Sequence, residues 1–159
     1  MEFWHCDADG DYSAYTDGAE DPADDEGAGT TFLRGTQTAN AEGIVEFATI
    51  YPGWYTGRAV HIHTRVHLGD ATVVTTQLYF PDELNHAVFA SAPYHGDPDT
   101  TDGTDVLAGG DPADWGAMFT VTDDPEGGKR ARVVLAVDPE ARSAETGFMT
   151  PPAGPPPAG

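Results

Sequence analysis

The chain has 159 residues, room for one domain, and its 39% apolar and 10% aromatic content lies above the disordered range. Its 19 glycines and 13 prolines favour turns and short elements, and its single cysteine, Cys6, excludes an internal disulfide framework and a Cys-based zinc cluster. Twenty-seven acidic against seven basic residues give a net charge of −20, which disfavours nucleic acid and anionic membrane surfaces as partners.

In chain order, Met1-Glu2-Phe3-Trp4-His5-Cys6 reads as the end of a strand and Asp7-Ala8-Asp9-Gly10-Asp11 as the turn after it. Residues 17–31 are acidic and Gly-rich and read as a surface loop. Phe32 to Thr38 is expected to be a strand, Asn40 to Gly43 a turn, and Ile44 to Ile50 a further strand. Pro52 to Arg58 is a punctuated loop. Val60 to Leu68 alternates strictly, and Ala71 to Phe80 is a second β-branched run after a Leu68-Gly69-Asp70 turn. Pro81 to Phe89 is the one short helix, with Pro81 at its start. Met118 to Thr122 and Ala131 to Val137 form a last pair of strands. The pattern predicts an all-β sandwich over residues 1–149 with long loops and at most one or two short helices, then a Pro-rich tail over 150–159.

Two residues concentrate the chemistry. On a strand, positions i and i+2 share a face, so His61 and His63 project together while Val60, Ile62 and Thr64 take the other side. Two imidazoles on one strand face are a common way to present nitrogens to one metal, although they can equally line a polar surface. The remaining ligands decide which metal. A carboxylate from the acidic loop would complete a two-His-one-carboxylate set for Fe(II); tyrosine phenolates, hard anionic donors, would suit Fe(III). Tyr12 follows the first strand's turn, and Tyr55 stands six residues before His61.

Four blocks then carry a resemblance: Trp4 to Ser13 (WHCDADGDYS), Phe32-Leu33-Arg34-Gly35, Thr49 to His63 (TIYPGWYTGRAVHIH) and Gln77-Leu78-Tyr79-Phe80. In order, spacing and context the chain resembles the intradiol ring-cleavage dioxygenases over roughly residues 3–137, and most closely their short single-domain type. The resemblance implies a β-sandwich that holds non-haem Fe(III) through Tyr12, Tyr55, His61 and His63, with Arg58 and Gln77 assisting catalysis. It further implies a catechol-type diol bound to the ferric ion, and Tyr55 as the ligand that leaves the metal and accepts a proton. O2 then cleaves the ring between the two oxygen-bearing carbons to a muconate-type diacid. Without the resemblance, Arg58 would be read as an ion pair with one of many acids and Gln77 as an edge-strand polar residue.

The family carries upstream sequence, with at least one strand, before the Trp-His-Cys block. The expectation is therefore that part of the family domain is missing here, that the strand carrying Phe3, Trp4 and Cys6 lacks a neighbour, and that a homodimer could cover the open edge. Cellular location stays undetermined: cytoplasmic, or secreted if a signal lies upstream. The charge also suggests a salt-adapted surface. Two other readings compete with a ferric dioxygenase of aromatic diols: a non-catalytic β-sandwich binding module, and a His/carboxylate Fe(II) or copper oxygenase.

Overall fold

The computed structural model describes residues 1–13, 30–94 and 96–143. Most of the expected acidic loop and the Pro-rich tail lie outside these residues. The fold is all-β and sandwich-like. Strands β1 (Glu2–Trp4), β2 (Arg34–Thr36), β3 (His61–Leu68) and β4 (Ala71–Tyr79) form one antiparallel sheet in the order β2-β1-β3-β4. Strands β5 (Thr120–Asp123) and β6 (Lys129–Arg132) form a separate hairpin. Among the described residues a single helix, α1 (Asp82–Phe89), follows β4, and a 3-10 turn spans Pro112–Trp115.

The β3–β4 hairpin is the frame of the molecule. Gly69 supplies the positive φ, 59°, that a two-residue connection between twisted strands needs. The ladder runs from His61 opposite Tyr79 to Leu68 opposite Ala71, with one irregularity at Val66/His67. Ile62, Leu78, Val60, Phe80, Phe89, Ala117 and Phe119 bury the main apolar cluster against α1 and the segment leading into β5. Tyr79 extends the sheet by exchanging backbone hydrogen bonds with that segment: its N–H donates to Ala117 O at 2.8 Å, and Phe119 N–H donates to Tyr79 O at 2.9 Å.

Helix α1 falls where expected. Its sole buried polar side chain, Asn85, donates from Nδ2 to Phe80 O and accepts from the Tyr51 hydroxyl at 2.6 Å. The buried amide is thereby satisfied on both sides.

Four expectations need correction. First, β1 has a partner on each side: Phe3 faces Gly35 of β2 and Thr64 of β3. The unpaired edge foreseen there does not exist; the edge strands of this sheet are β2 and β4. Second, Ile44 to Ile50 forms no ladder among the described residues. The Asn40 side chain closes a turn by accepting from Glu42 N and Ile44 N, and beyond it Phe47 stacks on Phe3 at 4.6 Å while Ile44 and Ile50 stay exposed. Third, β6 ends at Arg132. Val133 and Leu135 still pack against the core and Val134 points to solvent, so the alternation is obeyed without a ladder partner among the described residues. The Phe32–Thr38 strand is likewise shortened to Arg34–Thr36, because Leu33 takes a left-handed φ of 53°.

Candidate metal centre

Strand β3 fixes two members of the site. His61 and His63 project from one face, as the i, i+2 spacing requires, with Nε2 atoms 3.2 Å apart. His61 Nδ1 lies 2.7 Å from Ala59 O, a contact that places the proton on Nδ1 and turns the lone pair of Nε2 inward. The other members come from two loops. Tyr12 follows a turn tied by the Asp7 carboxylate, which accepts from Asp9 N and Asp11 N at 2.9 and 3.0 Å. Tyr55 belongs to the Pro52–Arg58 loop.

These loops touch backbone to backbone. Gly53 N donates to Asp7 O at 2.8 Å, and the Cys6 thiol, whose pKa burial raises to about 12, donates to Gly53 O. A Cβ on Gly53 would lie 2.3 Å from Asp7 O, and one on Gly10 would lie 2.3 Å from Trp54 O. Only glycine permits this approach at either position.

The outcome is a convergence of four donor atoms. The Tyr12 hydroxyl is 3.3 Å from His61 Nε2 and 3.1 Å from His63 Nε2; the Tyr55 hydroxyl is 3.1 Å from His61 Nε2. Ligands held about 2.0–2.2 Å from a shared cation stand about 3 Å from one another, so these spacings suit one ion at the centre. Two phenols and two imidazoles make a hard oxygen–nitrogen set with no thiolate. Among the described residues, no three His, Cys, Asp or Glu side chains gather into a cluster of their own. The acidic loop that would supply a completing carboxylate lies mostly outside the described residues.

Electrostatics prepare the imidazoles and leave the phenols protonated. Burial, reinforced by the Arg58 charge, lowers the His61 pKa to about 4, and burial together with His61 and Arg58 holds His63 well below its usual range. Both rings are thus neutral and able to donate lone pairs at neutral pH. Burial raises both phenols; the contact between them adds to the rise at Tyr12 and opposes it at Tyr55, and Arg58 opposes it at both. A cation must displace two phenolic protons here, which a highly charged ion does more readily than a divalent one.

Arg58 and Gln77 lie beside the donors. Arg58 Nη1 is 3.4 Å from the Tyr55 oxygen and Nη2 donates to Gln77 Oε1. Gln77 stands opposite His63 in the β3–β4 ladder; its Oε1 also accepts from the Tyr79 hydroxyl at 2.7 Å, and its Nε2 lies 3.4 Å from His63 Nδ1. Gln77 is buried and faces the site. The ion pair considered for Arg58 also exists: Nε donates to Asp105 Oδ2 at 3.0 Å.

Asp105 went unrecognised in the sequence. Its buried carboxylate further accepts from the backbone N–H groups of Ala59, Leu107 and Ala108. It joins the loop of residues 105–108 to the start of β3. The signal that pointed to it was the need of a buried guanidinium for a counter-ion, but nothing separated Asp105 from the other acids of the Asp-rich loop.

The sheet and the donor set define a class: the chain resembles the intradiol ring-cleavage dioxygenases in structure as it does in sequence pattern. A solved intradiol ring-cleavage dioxygenase from Tetranychus urticae is similar over 91% of this chain and 73% of its own, with a TM-score of 0.75 and 26% identity. The dioxygenase domain of a dioxygenase–carbohydrate-binding protein fusion from the cellulolytic bacterium Streptomyces sp. SirexAA-E is similar over 82% of this chain and 61% of its own, with a TM-score of 0.51 and 29% identity. No protein-family model and no curated protein sequence matches the chain.

Proposed function

We propose that the chain is a non-haem Fe(III) intradiol dioxygenase. It takes a catechol-type diol and O2, breaks the carbon–carbon bond between the two oxygen-bearing carbons, and places one oxygen atom from O2 on each, giving a muconate-type diacid. The observation that carries this reading is the meeting of two tyrosine oxygens with two histidine nitrogens at 3.1–3.3 Å. Tyr12, Tyr55, His61 and His63 would hold the ion. Ferric iron supplies Lewis acidity that draws electron density from the diol and opens it to O2.

The chain's own residues supply the rest. Burial raises the Tyr55 pKa, which favours its oxygen holding a proton taken from a substrate hydroxyl. The resemblance implies that Tyr55 is the member to move; like Tyr12 it hangs on a loop, while the histidines are fixed in a strand. Arg58 adds positive charge where anionic character develops, in a setting that screens it little. Gln77, its carbonyl engaged by Arg58 and Tyr79, keeps its amide N–H groups toward His63 and the site.

The test is metal analysis with a visible spectrum and a ring-opening assay. We expect about one iron per chain, a phenolate-to-iron charge-transfer band, and a diacid product from catechol. Tyr12→Phe and Tyr55→Phe each delete a single donor oxygen and should shift or bleach the band. A colourless protein with no ring-opening activity would instead support the binding-module reading.

A further inference from the structure

One face of the sheet carries a row of side chains that crosses all four strands. Trp4 of β1 stands opposite Arg34 of β2 on one side and His63 of β3 on the other, and His63 stands opposite Gln77 of β4. Cross-strand partners share a face, so the register itself delivers Arg34 and His63 to the two sides of one indole. Arg65, two positions after His63 and therefore on the same face, also lies over that ring. The imidazole centroid of His63 lies 4.9 Å from the indole and the guanidinium carbons of Arg34 and Arg65 lie 4.9 and 5.2 Å from it, so each charge stands within about 10 Å of the imidazole.

Glu2 bridges the two cations. Its Oε1 accepts from Arg34 Nη1 at 2.8 Å, and its Oε2 lies 3.8 Å from Arg65 Nη1 and 3.9 Å from His67 Nε2. The side chains of Arg34, Glu2 and Arg65 are 17%, 19% and 26% exposed, so water and salt screen this group only in part. Its charges are felt at the site: burial first, then His61 and Arg58, and then Arg34 and Arg65 keep the His63 pKa well below its usual range. The two imidazoles are also backed differently. His61 Nδ1 has the Ala59 carbonyl at 2.7 Å, a contact that strengthens a ligand nitrogen. His63 Nδ1 meets instead the Gln77 amide nitrogen at 3.4 Å, the Gln77 oxygen being engaged by Arg58 and Tyr79.

Resting on the ferric dioxygenase reading above, we propose that Arg34 and Arg65 are positioning residues of the metal centre: they hold Trp4 on His63 and, across that stack, draw electron density from the imidazole, which raises the Lewis acidity of the bound ion. Glu2 acts in the opposite sense, by offsetting part of their charge. Lewis acidity is what ring opening asks of the ion, so the two cations assist the reaction without touching the diol.

The test separates charge from shape in Arg34→Gln, Arg65→Gln, Arg34→Lys and Glu2→Gln. Spectroelectrochemistry gives the reduction potential of the iron-loaded full chain, and competition with a chelator gives the zinc(II) affinity of the iron-free chain. Arg34→Gln and Arg65→Gln should each favour the ferric over the ferrous state by roughly three- to tenfold, a fall of about 30–60 mV for one electron. Both should also bind zinc more tightly, because a repelling charge is gone. Glu2→Gln should move both quantities the other way, and Arg34→Lys, which keeps the charge, should stay near the parent. A role in packing alone would loosen the stack in every variant, so zinc binding that weakens in the arginine and glutamate variants alike overturns the proposal. Potentials and affinities unchanged in both arginine-to-glutamine variants overturn it as well. A parent chain that takes up no iron overturns the dioxygenase reading instead; the zinc measurements still decide whether the charges act on the site, because they need only His61 and His63.

Discussion

The indole of Trp4 lies flat on the imidazole of His63, with ring centroids 4.9 Å apart and planes within 6°. The two residues are direct partners across β1 and β3, so the stack is built into the sheet register. It limits the rotation of one candidate ligand. Trp4→Ala should weaken iron retention by about 10–100-fold, the range seen when groups that orient metal ligands are removed. Trp4→Phe should retain most of the affinity. Competition against a chelator measures both; full retention in Trp4→Ala would reduce the stack to simple packing.

A second expectation concerns the contact between the tyrosine-bearing loops. Gly53→Ala places a methyl group 2.3 Å from Asp7 O, a backbone atom that cannot turn aside. The two loops must separate, and Tyr12 and Tyr55 with them. Because β3 and β4 are untouched, circular dichroism should still report a folded sheet while iron content and the visible band fall together. A variant with normal colour would show that the loops can shift without cost to the site.

The loops also show where sequence reasoning stopped. His61 and His63 were legible because a strand converts spacing into direction, and the β3–β4 run alternates without interruption. Tyr12 and Tyr55 lie in loops, where no period fixes direction; only the resemblance connected them to the histidines. Asp105 was invisible because an ion-pair partner 47 positions away leaves no local pattern. The strands expected over Ile44–Ile50 and through Val137 failed for another reason. Alternation reports which side is buried, not whether a neighbouring backbone is present to complete a ladder.

Asp105 and Arg58 should be coupled in stability. Asp105→Ala leaves a guanidinium without its counter-ion and strips an acceptor from three backbone N–H groups, so a loss of roughly 3–5 kcal/mol is expected. Part of that loss comes from the stranded Arg58 charge. Denaturant unfolding of Asp105→Ala, Arg58→Ala and the double variant should give a double loss smaller than the sum of the singles. Strict additivity would mean that Asp105 acts through its backbone contacts alone.

Asp102 sets a pH dependence. Burial first, and then the nearby Asp82, Asp111, Asp105 and Glu83, raise its pKa from 3.8 to about 7. The folded state therefore binds the proton more tightly than the unfolded chain does. This group favours folding below about pH 4, and the contribution is lost as pH rises through about 7. Asp102→Asn should flatten the decline in melting temperature across that window, with a gain on the order of 1 kcal/mol at pH 8. Parallel melting curves for the two proteins from pH 4 to 8 would assign the decline to another group.

The division of the site between a strand and two loops bears on metal selectivity. A pair of imidazoles locked at 3.2 Å by β3 is a ready chelate for borderline ions such as copper or zinc, whatever the tyrosines do. If the site holds a hard trivalent ion as proposed, discrimination in its favour falls to the loops, which would deliver two phenol oxygens and surrender their protons. Loosening the clasp at Gly53 would consequently do more than lower occupancy: it would leave a promiscuous nitrogen pincer, open to whichever metal the surroundings supply.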